Sequence, residues 1–317
     1  MFINNNLRVK IDEEYKILWV GIDLQDKLCY SINFLDNLTH VKELIVYLIK
    51  KENIKYVCAY SLNKGVWNLG GDLEFFVSCI RNQNKKGLKE YAYKCIDLVY
   101  NYNSNYEMDV ISACIVQGNA YGGGFESALS GNYIIAEESA RFSFPEVIFG
   151  TFPGMGAYSF LTKKVGFNKA NEIINSNKTY TAADIHQMGI IDRICDDGMG
   201  VAQMNMDIIK GKLNEQAGNP FKNICNRVSK QELLDVVDVW LEKAFNLNET
   251  NLSRMMKIAN FQKRKVTDTI SKNVEVEVEE ESKIAEINSL INSSFHTWFY
   301  RQKWLFKQRL AYFGVVY

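Results

Sequence analysis

The chain has 317 residues, 47% hydrophobic and 23% charged, enough for one large globular domain or two modest ones. Its 37 lysines and arginines balance 37 aspartates and glutamates, so it lacks the basic excess of a nucleic-acid binder. No run reaches 18 consecutive apolar residues, and the polar opening MFINNNLRVKIDEEYK has no apolar signal core, so a cytoplasmic protein without a membrane span is expected.

In chain order, LRVKI and KILWVGIDL read as a β-hairpin, two apolar runs with a polar break between them. LDNLTHVKELIVYLIKKENI carries apolar residues at helical spacing and bases at its end, so one helix is expected over residues 35–54. KYVCAYSL reads as a strand. GGDLEFFVSCIRNQ opens a helix behind a glycine pair and an aspartate, and GLKEYAYKCIDLVYNYNS is a second amphipathic helix. DVISACIVQG is a short continuous apolar run, the mark of a strand buried on both faces. FESALSG then reads as a helix, NYIIAEES and ARFSFPEV as strands, and from about residue 154 helices dominate. Strands alternating with helices predict an α/β layered core with right-handed crossovers and a helical C-terminal region. No sequence repeat is evident.

Cys29, Cys58, Cys79, Cys95, Cys114, Cys195 and Cys225 are scattered and form no CxxC, which predicts reduced thiols, mostly buried. His40, His186 and His296 lie at no ligand spacing, so no metal site and no cofactor are expected. The tail differs from the rest. NVEVEVEEESK concentrates acid, and after Glu286 no acidic residue occurs, while Arg301, Lys303, Lys307 and Arg309 interleave with Trp298, Phe299, Trp304, Leu305 and Phe306. A basic amphipathic helix can lie on a membrane surface. The favoured expectation is that this one packs on the body or on a sister subunit with its bases solvated.

Three stretches join glycine to carboxylate: VWNLGGDLEFF over 66–76, QGNAYGGGFESALSGN over 117–132, and FPEVIFGTFPGMGAYSF over 144–160. Each falls where a strand gives way to a helix, and ligands in α/β sheets bind where such loops gather. A helix starting near Gly123 has first N–H groups without intrahelical partners, and glycine admits a close approach to them. An oxyanion suits that place. GGGFES lacks the lysine and Ser/Thr of a phosphate-binding loop. The GGD at 70–72 can add a second N–H from the other side, and two converging donors make an oxyanion hole. Glu126 and Glu146 stand 20 residues apart, a spacing that fits one strand–turn–strand excursion back to the same sheet edge. Paired carboxylates beside such a hole can divide acid and base work. The competing readings are that Glu126 only complements a helix N-terminus and Glu146 only follows a turn proline.

WNLGGDL, GNAYGGGFESAL and FPEVIFGTFPGMG together resemble the signature segments of the crotonase (enoyl-CoA hydratase/isomerase) superfamily, over roughly residues 10–260. Within it the chain looks most similar to the diffusible signal factor synthases. The resemblance implies a layered β-sheet core of ββα units over residues 1–200. It further implies a helical region of the same fold over 201–265, followed by a charged linker and basic aromatic tail over 266–317. It implies a dehydratase and thioesterase that converts a 3-hydroxyacyl thioester of an acyl carrier protein to a cis-2-unsaturated fatty acid signal. An enoyl-CoA hydratase is the alternative, and a non-catalytic acyl-binding protein or regulator of a sensor kinase is the rival outside enzymology. Carried over residue by residue, Glu126 and Glu146 are the catalytic pair, with Glu146 taking the C2 proton and Glu126 protonating the C3 hydroxyl. Gly123 is one oxyanion donor, and Leu69 or Gly70 the other. Trp67, Gly71, Asp72, Gly122 and Met155 are expected to bind substrate, and Trp67, Leu69, Met155, Tyr158 and Phe160 to wall an acyl pocket. Relatives of this kind form trimers or pairs of trimers, so self-association is expected.

Overall fold

The computed structural model describes residues 2–4, 6–25, 27–38 and 41–263. The acidic linker and basic aromatic tail lie outside the described residues. The chain opens with β1 (Phe2–Asn4), β2 (Leu7–Asp12) and β3 (Ile17–Ile22), the expected hairpin with a short extra edge strand. Two helices, α1 (Ile32–Leu38) and α2 (Val41–Glu52), stand where one was expected.

Three successive units of similar design follow. In the first, β4 (Tyr56–Ser61) leads to β5 (Val66–Asn68), then α3 (Leu73–Arg81) and α4 (Lys85–Asn103). In the second, β6 (Ile111–Val116) leads to β7 (Asn119–Tyr121) and α5 (Gly123–Leu129). In the third, β8 (Tyr133–Glu137) leads to β9 (Arg141–Ser143), a 3₁₀ turn over Pro145–Phe149, and α6 (Ala157–Val165). The strand expected over 140–147 is therefore only its first half. The first strand of each unit enters a seven-stranded sheet ordered β1-β2-β3-β4-β6-β8-β11, and the second enters a four-stranded sheet ordered β10-β9-β7-β5. The chain continues through α7 (Phe167–Asn175), β10 (Thr179–Thr181), α8 (Ala182–Gln187) and β11 (Arg193–Cys195). The helices α9 (Gly200–Ile209), α10 (Lys212–Gln216), α11 (Pro220–Cys225) and α12 (Lys230–Phe245) come next, and a last helix spans 249–263. From β3 to β11 the large sheet is parallel.

Side chains of a strand alternate between faces, and here both faces are apolar. Leu18, Val20, Val57, Ala59, Cys114, Val116, Ile134 and Ala136 join the main core. Their alternating neighbours Ile17, Trp19, Tyr56, Cys58, Ala113, Ile115, Tyr133 and Ile135 meet Met204, Ile208 and Leu213 of α9 and α10. Continuous apolar runs such as ISACIV are thus required. Asp207 is the polar tie on that second face: fully buried, it accepts from Tyr133 Oη at 2.8 Å and faces Arg193 Nε at 2.7 Å.

The second unit sits deepest. All seven residues of α5 are buried, and Phe125 packs against Phe142 and Phe144 with ring centroids 4.9 and 4.8 Å apart. A side chain at Gly124 would lie 2.0 Å from the Asn68 carbonyl oxygen, so glycine is what lets α5 press against β5. Trp67 locks the pair, its indole N–H donating to Gly124 O at 2.9 Å and Ser127 Oγ at 3.2 Å.

Candidate active site

The strands β5, β7 and β9 lie side by side and parallel in the small sheet, so the glycine-rich segments that follow them gather at one edge. Glu126 follows β7 and Glu146 follows β9. The spacing of the two carboxylates does return the chain to neighbouring strand ends.

Glu126 is on the first turn of α5 and only 2% exposed. Its Oε1 accepts the backbone N–H groups of Met155 at 2.6 Å and Ala157 at 2.9 Å. These donors belong to the loop opening α6, where left-handed Gly156 (φ +115°) is the N-cap. The PGMG turn therefore exists to wrap a carboxyl group. Burial lifts Glu126 to a pKa of about 7, and the N–H groups of Ala157, Met155 and Gly156 restrain that rise.

Glu146 lies in the 3₁₀ turn. Its residue surface is half-buried, but Oε2 is buried and accepts from no described group. Its Oε1 reaches over Gly122, where a Cβ would stand 2.4 Å away. Gly122 (φ +51°) is thus needed twice, for its backbone angle and for the room it leaves. Burial first, and the charge of Glu126 second, raise Glu146 well above the usual carboxylate range. The neighbour with the N–H cradle holds negative charge more easily, so as pH rises Glu126 ionises before Glu146.

Subtraction identifies the backbone donors. Leu69 N–H donates to Leu28 O at 2.7 Å, and Gly70 N–H donates to Asn68 Oδ1 at 2.7 Å. Both expected second donors are therefore consumed. The next N–H, of Gly71, has no acceptor among the described residues, and Gly71 lines the same cavity as Gly123. Gly123 opens α5, so its N–H has no intrahelical partner. The Gly70–Gly71 unit packs directly on it: a Cβ at Gly70 would be 3.3 Å from Gly123 N. The unengaged N–H groups side by side are therefore those of Gly71 and Gly123, while those of Leu69 and Gly70 are taken up. Residues 28–30 clamp this strand end. Tyr30 N–H donates to Gly70 O at 2.8 Å, and Tyr91 Oη donates to Tyr30 O at 2.5 Å while accepting from Asp72 N–H at 3.2 Å.

Gly71, Gly123, Glu126, Glu146 and Met155 meet in one narrow cavity of about 60 Å³. The cavity continues between Tyr30, Leu73, Phe76, Tyr91, Ala92, Cys95, Phe149, Thr151, Gly154 and Trp240. Those residues escaped the sequence reading. Leu73 and Phe76, or Tyr91 and Cys95, show the i, i+3 and i, i+4 spacing of one helix face, but that spacing does not say which face meets a site.

Of the expected contacts, Trp67, Leu69, Asp72, Gly122, Tyr158 and Phe160 do not line this cavity. Trp67 faces α5 from behind. Asp72 caps α3, accepting from Phe75 N–H at 3.1 Å, and pairs with Lys27 at 2.7 Å. Tyr158 packs on Phe152 and Phe167. Phe160 belongs to the core beyond α5. The helix 249–263 reaches the same strand end, Gln262 Nε2 donating to Leu69 O at 2.7 Å. Among the described residues no three His, Cys, Asp or Glu side chains group as metal ligands, and no helix is long and apolar enough to cross a membrane. Six of the seven cysteines are buried, Cys225 alone being exposed.

A double-sheet core of ββα units, presenting two unengaged backbone N–H groups, a buried glutamate and a half-buried one at its strand ends, defines a crotonase-type protein. Residues 37–265 match the enoyl-CoA hydratase/isomerase family, and the chain belongs to it. A probable enoyl-CoA hydratase of Rhizobium meliloti is 37% identical over 94 residues, 28% of this chain and 37% of that protein. Another from Mycobacterium bovis is 32% identical over 120 residues, 37% of this chain and 46% of that one. The chain thus spans under half the length of these curated relatives. The fold matches an enoyl-CoA hydratase structure from Bacillus halodurans with a TM-score of 0.65 at 19% identity, covering 80% of this chain and all of that one. It also matches Pseudomonas aeruginosa DspI with a TM-score of 0.54 at 19% identity, covering 75% and 88%.

Proposed function

We propose that the protein catalyses reversible addition of water across the C2–C3 double bond of an enoyl thioester, with a coenzyme A thioester as substrate. The observation that carries this is that Glu126 and Glu146 line one cavity with two unengaged N–H groups, and that Glu126 gives up its proton more readily than Glu146. The thioester oxygen accepts from Gly71 and Gly123, which stabilise the enolate in a site with little room for water. Glu126, ionised, takes a proton from the water whose oxygen bonds to C3. The double-bond electrons pass into the thioester, and Glu146 gives its proton to C2. In reverse, Glu146 takes the C2 proton and a protonated Glu126 releases the C3 hydroxyl as water. The same two positions serve both directions, and hydration starts from the form with Glu126 ionised and Glu146 protonated. Loss of the conjugated enoyl absorbance of crotonyl-CoA tests this. No turnover of either crotonyl-CoA or 3-hydroxybutyryl-CoA would end the proposal.

A narrower form of this reading has the chain act on a carrier-protein thioester and then hydrolyse it to a free cis-2-enoic acid. Both glutamates and the likeness of VWNLGGDLEFF and PGMGAYSFLTKKVG to signal synthases support it, and the same hole would hold the tetrahedral oxyanion. Mass spectrometry of fatty acids released from 3-hydroxyacyl carrier protein decides it: thioester turnover without free acid leaves only the hydratase.

A further inference from the structure

We propose that Thr151 is a substrate-binding residue whose hydroxyl contacts the reacting oxygen at C3, whether of the adding water or of the leaving 3-hydroxyl. The proposal rests on the hydration reading above. Thr151 is 7% exposed, lines the catalytic cavity, and its Oγ1 has no hydrogen-bond partner among the described residues. Buried hydroxyls are normally paired, because an unpaired one forfeits its hydration without return. Among the described residues two other buried side-chain atoms share this condition. One, Arg193 Nε, has a carboxylate oxygen of Asp207 at 2.7 Å. The other is Glu146 Oε2, which faces the same cavity as Thr151.

The turn that delivers Glu146 also delivers Thr151: Gly150 (φ +84°) caps it, and Thr151 N–H donates back to Glu146 O at 3.1 Å. With the thioester oxygen on Gly71 and Gly123, the polar atom left for Thr151 is the one at C3. A water has two protons and two lone pairs, and it becomes an alcohol as it reacts. A hydroxyl can donate or accept, so Thr151 fits the oxygen before and after the step, whereas a carboxylate of fixed charge does not.

Thr151→Val keeps the shape and removes the hydroxyl, and Thr151→Ser keeps the hydroxyl. We expect Thr151→Val to lower kcat/KM about 10-fold for crotonyl-CoA and for 3-hydroxybutyryl-CoA, the size of one lost hydrogen bond. Binding of butyryl-CoA, which has no C3 oxygen, should stay within about twofold, read from Trp240 fluorescence, and Thr151→Ser should recover most of the activity. Unchanged turnover in Thr151→Val, or equal weakening of butyryl-CoA and 3-hydroxybutyryl-CoA, overturns the proposal. If the wild type turns over neither reactive thioester, the hydration reading fails by itself. The ratio of 3-hydroxybutyryl-CoA to butyryl-CoA affinity in wild type and Thr151→Val still decides the role of Thr151.

Discussion

Replacing Glu126 with glutamine separates chemistry from stability, because the structure predicts effects of opposite sign. The glutamine amide oxygen can take over both N–H donors now held by Oε1, from Met155 at 2.6 Å and Ala157 at 2.9 Å. The loop opening α6 should therefore keep its shape. What is lost is a group that exchanges a proton near neutrality. General acid–base catalysis contributes about 10²–10⁴-fold, so kcat for crotonyl-CoA hydration should fall by that factor, about 3–5 kcal/mol of barrier. Stability should move the other way. The Glu126 carboxyl has its pKa raised from 4.5 to about 7 in the fold. A raised folded value means that the folded state holds the proton more tightly than the unfolded one. The stability linked to that proton is fully present below 4.5 and lost as pH rises through about 7. Glutamine has no proton to lose, so the Tm of Glu126→Gln should gain on wild type progressively between pH 4.5 and about 7 and level off above that. Paired activity and thermal melts across that range test both halves. Turnover within tenfold of wild type, or a Tm difference that does not change with pH, would refute the reasoning.

Other expectations follow from the same geometry. Hydration rate should rise with pH and level off above about 7, as Glu126 ionises while Glu146 keeps its proton; a rate that falls through that range would reverse the two roles. Gly122→Ala puts a methyl 2.4 Å from Glu146 Oε1 and should cut kcat at least about 10-fold while circular dichroism stays native. Gly124→Ala meets backbone, with Asn68 O at 2.0 Å, and should destabilise by about 1–3 kcal/mol or more, read as a lower denaturant midpoint. Trp240→Ala opens the cavity beside Phe76, whose ring centroid is 5.4 Å away, and should shift preference toward longer acyl chains. It should also cost about 3–5 kcal/mol of stability, as truncating a buried tryptophan does.

The layered fold was readable because apolar continuity in ISACIV and NYIIAEES demands burial on both faces, and both strands have it. The glutamates were readable because glycine and carboxylate stand together in sequence. Five short strands that were not expected, β1, β5, β7, β10 and β11, have three residues each and carry no period of their own; long-range pairing alone makes them strands. The engagement of the expected donors Leu69 and Gly70 was not readable, because a free N–H is defined by what its neighbours bind. Leu28 and Asn68 take up the N–H groups of Leu69 and Gly70 and leave that of Gly71 unengaged, and neither contact has a sequence signature. The acyl cavity draws Trp240 from α12, more than 100 residues beyond Gly123, so no local pattern could have recruited it.

The clamp by residues 28–30 makes the proposed hole a property of residues 28–30 as well as of the segments around Gly71 and Gly123. The family match starts at residue 37, and a chain trimmed to it would keep both glutamates, Gly71 and Gly123. It would lose Leu28 O and Tyr30, which hold Leu69 N–H and Gly70 O in place. Leu69 N–H would then be released beside Gly71 N–H, and two donors would compete for one oxygen. The precision of the hole is set by segments that carry no chemistry, so variation in residues 28–30 can retune reactivity while every catalytic residue stays the same.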